Sequence, residues 1–591
     1  MPSLLTCGGG HPASGRTEAI AYFSMEVGLC SEIPTYSGGL GVLAGDTVRA
    51  AADLGMPMIA VTLLYRNGYF TQSLDPEGNQ TEMPARWNPA EQLEPVPWQA
   101  TVEIEGRQVH LRAWRREVAG IFGSAVNVLF LDTDLPENDE WDRSLTDELY
   151  GGDRRYRLCQ EAVLGLGGVE LLHALGLDGR LIYHMNEGHS ALLTLGLLER
   201  KLSERGPDQI AQEDIEAVRN QCVFTTHTPV PAGHDKFDWA LVTRVLGERR
   251  ARMLEAIGCQ HEGMLNMTYL ALRFSRHVNG VALRHGEISA DMFPGYPVDS
   301  ITNGADVAMW TCDAFAELFD RHIAVWRQDN QYLRYALGIP LVEIQQAHQR
   351  AKQALLDEVA QRTGLRLDPG AFTIGFARRA TEYKRANLLF ADLERVRRIA
   401  RRAGPLQVLY AGKAHPRDEG GKRMIREVFA AAEALRGEVP VIYLADYDIE
   451  LAKYLVSGVD LWLNTPLKPH EASGTSGMKA AFNGVPSFSV LDGWWLEGHI
   501  EGITGWAIGD RDKTSEPGQE QADVYDKLQH TIMPLYYETP LEYARIMRYC
   551  IAFNGSFFNA QRMVSQYWKT VYHGVIACAV RGANTLTGTE G

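Results

Sequence analysis

The sequence predicts an α/β protein of two doubly wound, Rossmann-like domains facing each other across a cleft. Three observations carry this. Short, continuous apolar runs rich in β-formers alternate with longer amphipathic stretches through most of the 591 residues. The pattern runs twice, once before about Ile301 and again after about Phe372. Between the two sets lies Thr311–Gln361, charged, helical in pattern and without strand signals. Continuous apolar strands separated by amphipathic helices point to parallel sheets covered on both faces.

In chain order, strands are expected at Ala21–Met25, Met58–Leu64, Val126–Asp132, Leu181–Met185 and Cys222–Thr226, with helices around Glu161–Leu175 and Ala191–Leu202. The second set holds Phe372–Ala377, Leu406–Ala411, Val441–Leu444 and Leu461–Leu463, with a helix over Ala386–Ala403. The expected domains are 1–305 and 306–555, followed by a helix at 556–580 that crosses back to the first domain and a frayed tail, Arg581–Gly591. Ligands of doubly wound sheets sit beyond the C-terminal ends of the strands, so chemistry is sought in the residues just after them.

Net charge is −16, which opposes binding to nucleic acid or anionic membranes. An acidic protein can still hold phosphate, but only with locally gathered cations. The eight cysteines are Cys7, Cys30, Cys159, Cys222, Cys259, Cys312, Cys550 and Cys578, with no CxxC pair and no zinc spacing. They read as reduced thiols. Met1–Thr17 lacks an apolar core of signal-peptide length, and no apolar run is long enough to span a bilayer. The expectation is a cytoplasmic enzyme without a membrane or nucleic-acid partner. Whether it forms a homo-oligomer is left open.

Three motifs follow strand-like runs or open helices. Tyr36-Ser37-Gly38-Gly39-Leu40-Gly41 precedes a helical run ending near Leu54-Gly55. Glycines there let backbone approach a ligand, and a helix start offers free N–H groups to an anion. A tight turn with no ligand reads equally well. Phe376 to Arg385 places Arg378, Arg379 and Lys384 where a strand leads into a helix. Guanidinium forks suit phosphate, whereas cations at a helix start run against its dipole. The alternative is a solvated basic face. His470 to Gly484 contains Gly474-Thr475-Ser476-Gly477-Met478-Lys479. Its spacing is not that of a P-loop. Gly474, Thr475 and Ser476 can open a helix that cradles phosphate, and Lys479, among small apolar residues, can have a lowered pKa and form an imine with an aldehyde cofactor. A capped helix with a surface lysine is the alternative. Asn186-Glu187-Gly188-His189 and Thr226-His227-Thr228 each follow a strand and are expected to line the cleft. No metal-ligand spacing, serine elbow or dinucleotide fingerprint is present, and no metal is expected.

Taken together, these motifs resemble the glycogen and maltodextrin phosphorylase family over most of Tyr22–Gly484, with wording from Ala21 to Asp46 most like the short bacterial and archaeal α-glucan phosphorylases. The resemblance implies a glycosyltransferase architecture of GT-B type and reversible phosphorolysis of an α-1,4-glucan (glycogen, starch or maltodextrin) by inorganic phosphate. The product is α-D-glucose 1-phosphate, with retained configuration. It implies pyridoxal 5'-phosphate as cofactor, held as a Schiff base on Lys479, its own phosphate relaying a proton through the substrate phosphate. It makes Arg379 a substrate-phosphate ligand and Lys384 a bridge between the two phosphates. Gly38 and Gly39 fall on the substrate-phosphate loop, and Gly39 gives it a backbone N–H. Thr475 and Gly477 cradle the cofactor phosphate, with Arg378 nearby where the family has lysine. Trp310 and Tyr447 lie near the cofactor ring. The glucosyl unit falls to His227, Asn303, Tyr383, Glu471, Ser473 and Gly474, residue types that give each buried hydroxyl a partner.

The sequence departs from the long animal enzymes. No counterpart of their regulatory N-terminal tail is expected. The aromatic that flanks the cofactor there maps near Gly28, and Glu187 stands where they carry aspartate. The chain is expected to start directly at the catalytic core. Two other readings are weighed: a nucleotide-sugar-dependent retaining glycosyltransferase, and a catalytically silent carbohydrate-binding protein. Lys479 in its Gly-Met-Lys setting speaks against the first. Intact Arg379, Lys384, Thr475 and Lys479 speak against the second.

Overall fold

The computed structural model describes residues 19–177, 181–202, 210–230, 233–511 and 518–572. Met1–Thr17, the last part of the 556–580 helix and the Arg581–Gly591 tail lie outside them. The first half contributes β1 (Ala19–Ser24), β2 (Met58–Leu63), β3 (Thr71–Leu74), β4 (Gln80–Met83), β5 (Glu94–Ile104), β6 (Arg107–Ala119), β7 (Ala125–Asp132), β8 (Leu181–Asn186) and β9 (Cys222–Thr225). A small sheet of β10 (Lys236–Phe237), β11 (Gln260–His261) and β12 (Met264–Asn266) follows, then β13 (His277–Gly280) and β14 (Asp299–Ser300). The second half contributes β15 (Phe372–Ala377), β16 (Leu406–Ala411), β17 (Val441–Leu444), β18 (Leu461–Asn464), β19 (Ser487–Val490) and β20 (Gly505–Ile508).

The large sheet runs β14-β13-β9-β8-β1-β2-β7-β6-β5. Neighbours from β14 to β7 are parallel. The β6–β7 and β5–β6 pairs are antiparallel, which corrects the expectation of purely parallel sheets. Val102, Ile104, Val109, Leu111 and Ala113 are buried while their neighbours in sequence are more exposed. That is the alternation of a half-covered antiparallel edge. Along the central strands both faces are covered: Ala19, Ala21 and Phe23 join one core, Ile20 and Tyr22 the other. The second core is closed by α1 (Gly39–Asp53), whose buried face includes Leu43, Ala44 and Val48.

The second sheet runs β17-β16-β15-β18-β19-β20, parallel throughout. The chain winds outward from β15 in one direction and from β18 in the other, so the topological switch point lies between them, where such sheets bind ligands. The charged helical region packs onto this sheet through α2 (Leu341–Thr363). There Asp460 accepts hydrogen bonds from Lys352 Nζ at 2.6 Å, from the backbone N–H of Thr373 at 2.7 Å and pairs with His348 Nε2 at 2.9 Å. The expected helix Ala386–Ala403 begins only at Leu393, where Asp392 caps it through the Arg395 N–H. Before it the chain makes two 3₁₀ turns, Glu382–Lys384 and Leu388–Phe390, separated by Arg385 at φ 49°. The basic cluster therefore sits on a loop, not at a helix start, and no helix dipole opposes it.

Among the connections between the halves are the β3–β4 hairpin and the C-terminal helix. The β3–β4 hairpin reaches the loops after β16 and β17: Gln72 Nε2 donates to the Gly412 carbonyl at 3.0 Å, and the Gln72 N–H to Asp446 Oδ1 at 2.9 Å. Helix α4 (Ala560–Tyr567) packs on the first half, the Tyr567 hydroxyl lying 2.8 Å from Asn279 Nδ2 and 3.0 Å from Thr225 Oγ1. Among the described residues no helix is long and apolar enough to cross a membrane.

Candidate active site

A cavity of about 720 Å³ lies at the C-terminal ends of the central strands and takes its walls from both halves. The loops after β1, β8, β9 and β14 form one side, and those after β15, β17 and β18 the other. Gly38, Gly39, His227, Asn303, Trp310, Arg378, Arg379, Tyr383, Lys384, Tyr447, Glu471, Ser473, Gly474, Thr475 and Lys479 all line it. Of the residues expected from sequence to line the cleft or hold a ligand, Gly477, Asn186, Gly188 and Thr226 do not border it, while Glu187, His189 and Thr228 do; the case of Gly477 has a packing reason. A Cβ there would meet Trp494 and Ser487, each at 2.8 Å, so close packing is what this glycine provides.

The glycine loop opens α1 as expected, with Gly38 at the N-cap. Its glycines do different things. A Cβ on Gly41 would meet Glu26 Oε2 at 2.7 Å, and one on Gly45 the Gly28 carbonyl at 2.0 Å. Both allow close approach of the loop after β1. A Cβ on Gly38 or Gly39 meets nothing within 4 Å; both border the cavity. The loop is held by Glu26, which accepts the Ser37 N–H at 2.5 Å, the Gly38 N–H at 3.3 Å and the Tyr150 hydroxyl at 2.8 Å. Burial raises the Glu26 pKa, opposed by these donors and by Arg379.

Across the cavity, the loops after β15 and β18 are joined. Arg385 donates to the carbonyls of Thr465 and Pro466, and the Thr465 hydroxyl donates to those of Lys384 and Arg385. This brings Glu471 between two cations: Lys384 Nζ at 2.6 Å and Arg378 Nη2 at 2.5 Å from the same carboxylate oxygen. Burial would raise the Glu471 pKa, but the two cations prevail and lower it to about 2. Arg378 keeps Nε and Nη1 buried without a partner. Arg379 has no ion pair or side-chain hydrogen bond among the described residues and is open to the cavity. Arg378 and Lys384 thus share the Glu471 carboxylate, and Arg379 joins them on the same loop, a local gathering of positive charge in an acidic protein.

Lys479 lies on α3 (Ser476–Phe482), buried, its Nζ 3.9 Å from the Trp310 ring centroid. Burial lowers its pKa to about 8, with Asp46 opposing and Arg49 adding to the shift. The lowered pKa expected from its small apolar neighbours is present. Trp310 Nε1 in turn donates to both Asp46 oxygens at 3.1 Å. The loop before α3 is braced by β19's end: Asp492 accepts the Glu471 N–H at 2.9 Å, and the Trp494 N–H bonds the Ser473 carbonyl at 2.9 Å. Ser473 Oγ is buried without a partner.

On the first-half wall, His227 Nε2 lies 2.7 Å from Asn186 Oδ1, while Asn186 Nδ2 donates to Ser24 Oγ at 3.1 Å. Ser24 Oγ donates onward to the Glu26 carbonyl at 2.7 Å. This chain fixes the amide orientation, so Nε2 carries the imidazole proton. Burial lowers the His227 pKa to about 3, so the ring is neutral and Nδ1 is left as an acceptor. Glu187, at φ 77°, holds the same loop by accepting the His227 N–H at 2.8 Å and the Thr228 hydroxyl at 2.9 Å. The Asn303 loop is braced from behind by Arg562 of α4, which donates to the Thr302 and Asn303 carbonyls at 2.7 and 2.9 Å.

Glu26, Asp46, Asp492 and Arg562 were not picked out from sequence. Glu26 carried one usable signal, its place two residues past a strand end. Asp46 carried another, a carboxylate inside the apolar face of α1. Asp492 and Arg562 act through contacts across 21 and about 260 positions, which no local pattern reports.

A model of the carbohydrate phosphorylase family matches residues 236–503. The chain is 38% identical over 609 residues to a maltodextrin phosphorylase of Thermococcus litoralis, covering 95% of this chain and 71% of that protein. It is 35% identical to a glycogen phosphorylase of Mycobacterium tuberculosis (95% of this chain, 72% of that one). It is 34% identical to a glycogen phosphorylase of Aquifex aeolicus (94% and 86%). The fold and the relatives are those of an α/β enzyme. The chain belongs to the carbohydrate phosphorylase family.

Proposed function

We propose that the protein is an α-glucan phosphorylase that cleaves α-1,4-glucan with inorganic phosphate to give α-D-glucose 1-phosphate, using pyridoxal phosphate attached to Lys479. The two sheets then correspond to two doubly wound domains of GT-B type, 1–305 and 306–555, with the C-terminal helix returning to the first. The observation that carries the reading is one cavity holding a buried amine of lowered pKa, two cations paired to the Glu471 carboxylate and a third, Arg379, with no ion pair among the described residues. The residues suit the cofactor. Lys479 lies against an indole face, and Arg378 has two buried guanidinium nitrogens without protein partners. Thr475, at the N-cap of α3, has no side-chain cap bond, and a first helical turn leaves backbone N–H groups free.

When bound, pyridoxal phosphate supplies a second phosphate group that exchanges a proton with the substrate phosphate. Arg378 and the backbone at Thr475 and Gly477 would hold that group. Lys384 would stand between the two phosphates, and Arg379 with the Gly39 N–H would hold the substrate phosphate. Two dianions repel more strongly as water is excluded, so fixed cations are required there. The substrate phosphate would protonate the glycosidic oxygen, the bond from that oxygen to the anomeric carbon would break to release the shortened glucan, and a phosphate oxygen would then bond the anomeric carbon from the same face. His227 Nδ1, Asn303, Tyr383, Glu471, Ser473 Oγ and Gly474 are the groups available to the sugar hydroxyls.

Borohydride reduction followed by peptide mass mapping is expected to place the cofactor on the Lys479 peptide. Phosphate-dependent release of glucose 1-phosphate from maltodextrin should accompany it. A label on another lysine, or full activity without cofactor, would overturn the reading. A second expectation concerns Gly39. Alanine there meets no protein atom, so Gly39→Ala should melt as the parent does. Crowding the phosphate out of one charge-assisted hydrogen bond of about 1.5–3 kcal/mol should raise the phosphate requirement about tenfold or more. A variant with unchanged phosphate KM would remove the loop from the phosphate site.

A further inference from the structure

The buried acid group behind Lys479 has no part in the chemistry described so far. Asp46 lies about two turns into α1, almost fully buried. Both its oxygens take the same indole N–H, that of Trp310, at 3.1 Å. The face of that same indole carries Lys479 Nζ, 3.9 Å from the ring centroid. Burial raises the Asp46 pKa; Lys479, Arg49 and the Trp310 N–H, which as an indole can only donate, oppose that and favour the ionised carboxylate. Trp310 is thus a spacer with an anion fixed at its edge and an amine fixed on its face. Its position is set from the far side by Asn483 Nδ2, which donates to the Trp310 carbonyl at 2.8 Å, and Asn483 lies just past the end of α3. The charged groups around the unit are Arg49 on the same helix, Asp306 before the short helix Val307–Trp310, Asp53 further along α1, and Lys479 itself.

We propose that Asp46, anchored by the Trp310 N–H, is a positioning residue for Lys479. It holds the free ε-amine against the indole face and keeps it as the ammonium at neutral pH, so that attachment of the aldehyde cofactor is gated by pH. The inference rests on Lys479 being the cofactor lysine. Attachment joins the amine nitrogen to the aldehyde carbon and releases one water, whose two hydrogens come from the neutral –NH2. The ammonium must therefore first give its proton to solvent. A carboxylate nearby favours the ammonium, while burial and Arg49 favour the neutral amine. Removing the carboxylate charge should leave the second pair unopposed. The buried Asp306 carboxyl, pushed up to about 7 by burial and by Asp46, should ionise more readily once Asp46 is neutralised. It sits at the N-cap of the helix that carries Trp310 and makes the test a real contest.

The test uses the full-length chain stripped of cofactor, so its main readout is not activity. The rate at which an acylating reagent modifies Lys479 is followed against pH by peptide mass spectrometry, with cofactor uptake followed by absorbance. The parent is expected to show a half-point near 8. Asp46→Asn should move it down by about one unit, giving about tenfold faster cofactor uptake at any pH well below both half-points. Trp310→Phe keeps the ring but removes the anchor, and should move the half-point the same way. Asp46→Glu should restore it. If Asp46→Asn does not fold, Trp310→Phe carries the test alone. Half-points unmoved or raised in the variants overturn the proposal while leaving cofactor attachment intact. A shifted half-point on a lysine that never takes up cofactor sinks the functional reading and leaves the influence of Asp46 on Lys479 standing.

Discussion

Arg379→Ala lowers kcat by about 10²–10³-fold, the usual cost of removing one fixed group that stabilises developing charge. It also raises the apparent requirement for phosphate. Cofactor content and melting temperature stay at parental values. The separation follows from the contacts of Arg379. It forms no ion pair or side-chain hydrogen bond among the described residues and reaches into the open cavity, so the fold loses little without it. Its charge acts only on what enters the cleft, and on the buried Glu26 carboxyl behind the glycine loop. Arg379→Lys should be intermediate: the charge remains, but a rigid two-donor fork is replaced by a flexible point charge. The loss of one charge-assisted bond, about 1.5–3 kcal/mol, corresponds to roughly ten- to a hundredfold in kcat/KM. The check is a steady-state series with phosphate varied in degradation and glucose 1-phosphate varied in synthesis. Both ligands carry the same phosphate, so both directions should suffer together. Parental phosphate dependence in both would leave Arg379 as a cation of the cleft rim.

Much of this arrangement was legible in the sequence, and the exceptions share a cause. β15, β16 and β17 occupy the residues expected of them, Phe372–Ala377, Leu406–Ala411 and Val441–Leu444. Each is a run of apolar residues closed by small or polar ones, and buried parallel strands leave that signature. The β5–β6 hairpin was missed because its burial alternates. β14 is two residues long and β19 is half serine, too little for any period to register. In the site, residues just past strand ends were found because chain topology alone brings them to the cleft. The glycine loop and the Lys479 helix were found because backbone geometry demands particular residues there. What stayed hidden are the braces: Glu26 under the loop, Asp46 at the indole edge, Arg562 behind Asn303. Each is defined by a partner that only the tertiary fold supplies. The turn at Glu382–Lys384 stayed hidden for the same reason, since Arg385 leaves helical geometry to bond carbonyls some eighty residues away.

Glu471→Gln is expected to destabilise the protein by about 3 kcal/mol at neutral pH, because it strips the counter-charge from two nearly buried cations. The sequence alone assigns Glu471 to the sugar; the structure makes it first the partner of Arg378 and Lys384, at 2.5 and 2.6 Å. Glutamine keeps the shape and one acceptor but not the charge. The sign of the pH dependence follows from the direction of the shift. Glu471 is held in the folded protein at about 2, below its ordinary 4.5. A depressed carboxylate contributes stability that is complete above the unfolded value and is lost as pH falls toward the folded one. The gap in melting temperature between parent and variant should therefore be full at pH 7 and close progressively as pH falls from 4.5 toward 2. Turnover should fall as well, because a sugar hydroxyl would lose a charged acceptor worth roughly 1.5–3 kcal/mol. Cofactor on Lys479 should be retained, since Lys479 lies against Trp310 and not against Glu471. The phosphate side should move the opposite way to Arg379→Ala. With Glu471 neutral, Arg378 and Lys384 are left to the anions, and phosphate should bind the ligand-free site more tightly even as catalysis slows. A variant as stable as the parent at pH 7, or one whose phosphate affinity falls, would mean that the two cations find another counter-charge and that Glu471 does not set the charge of the site.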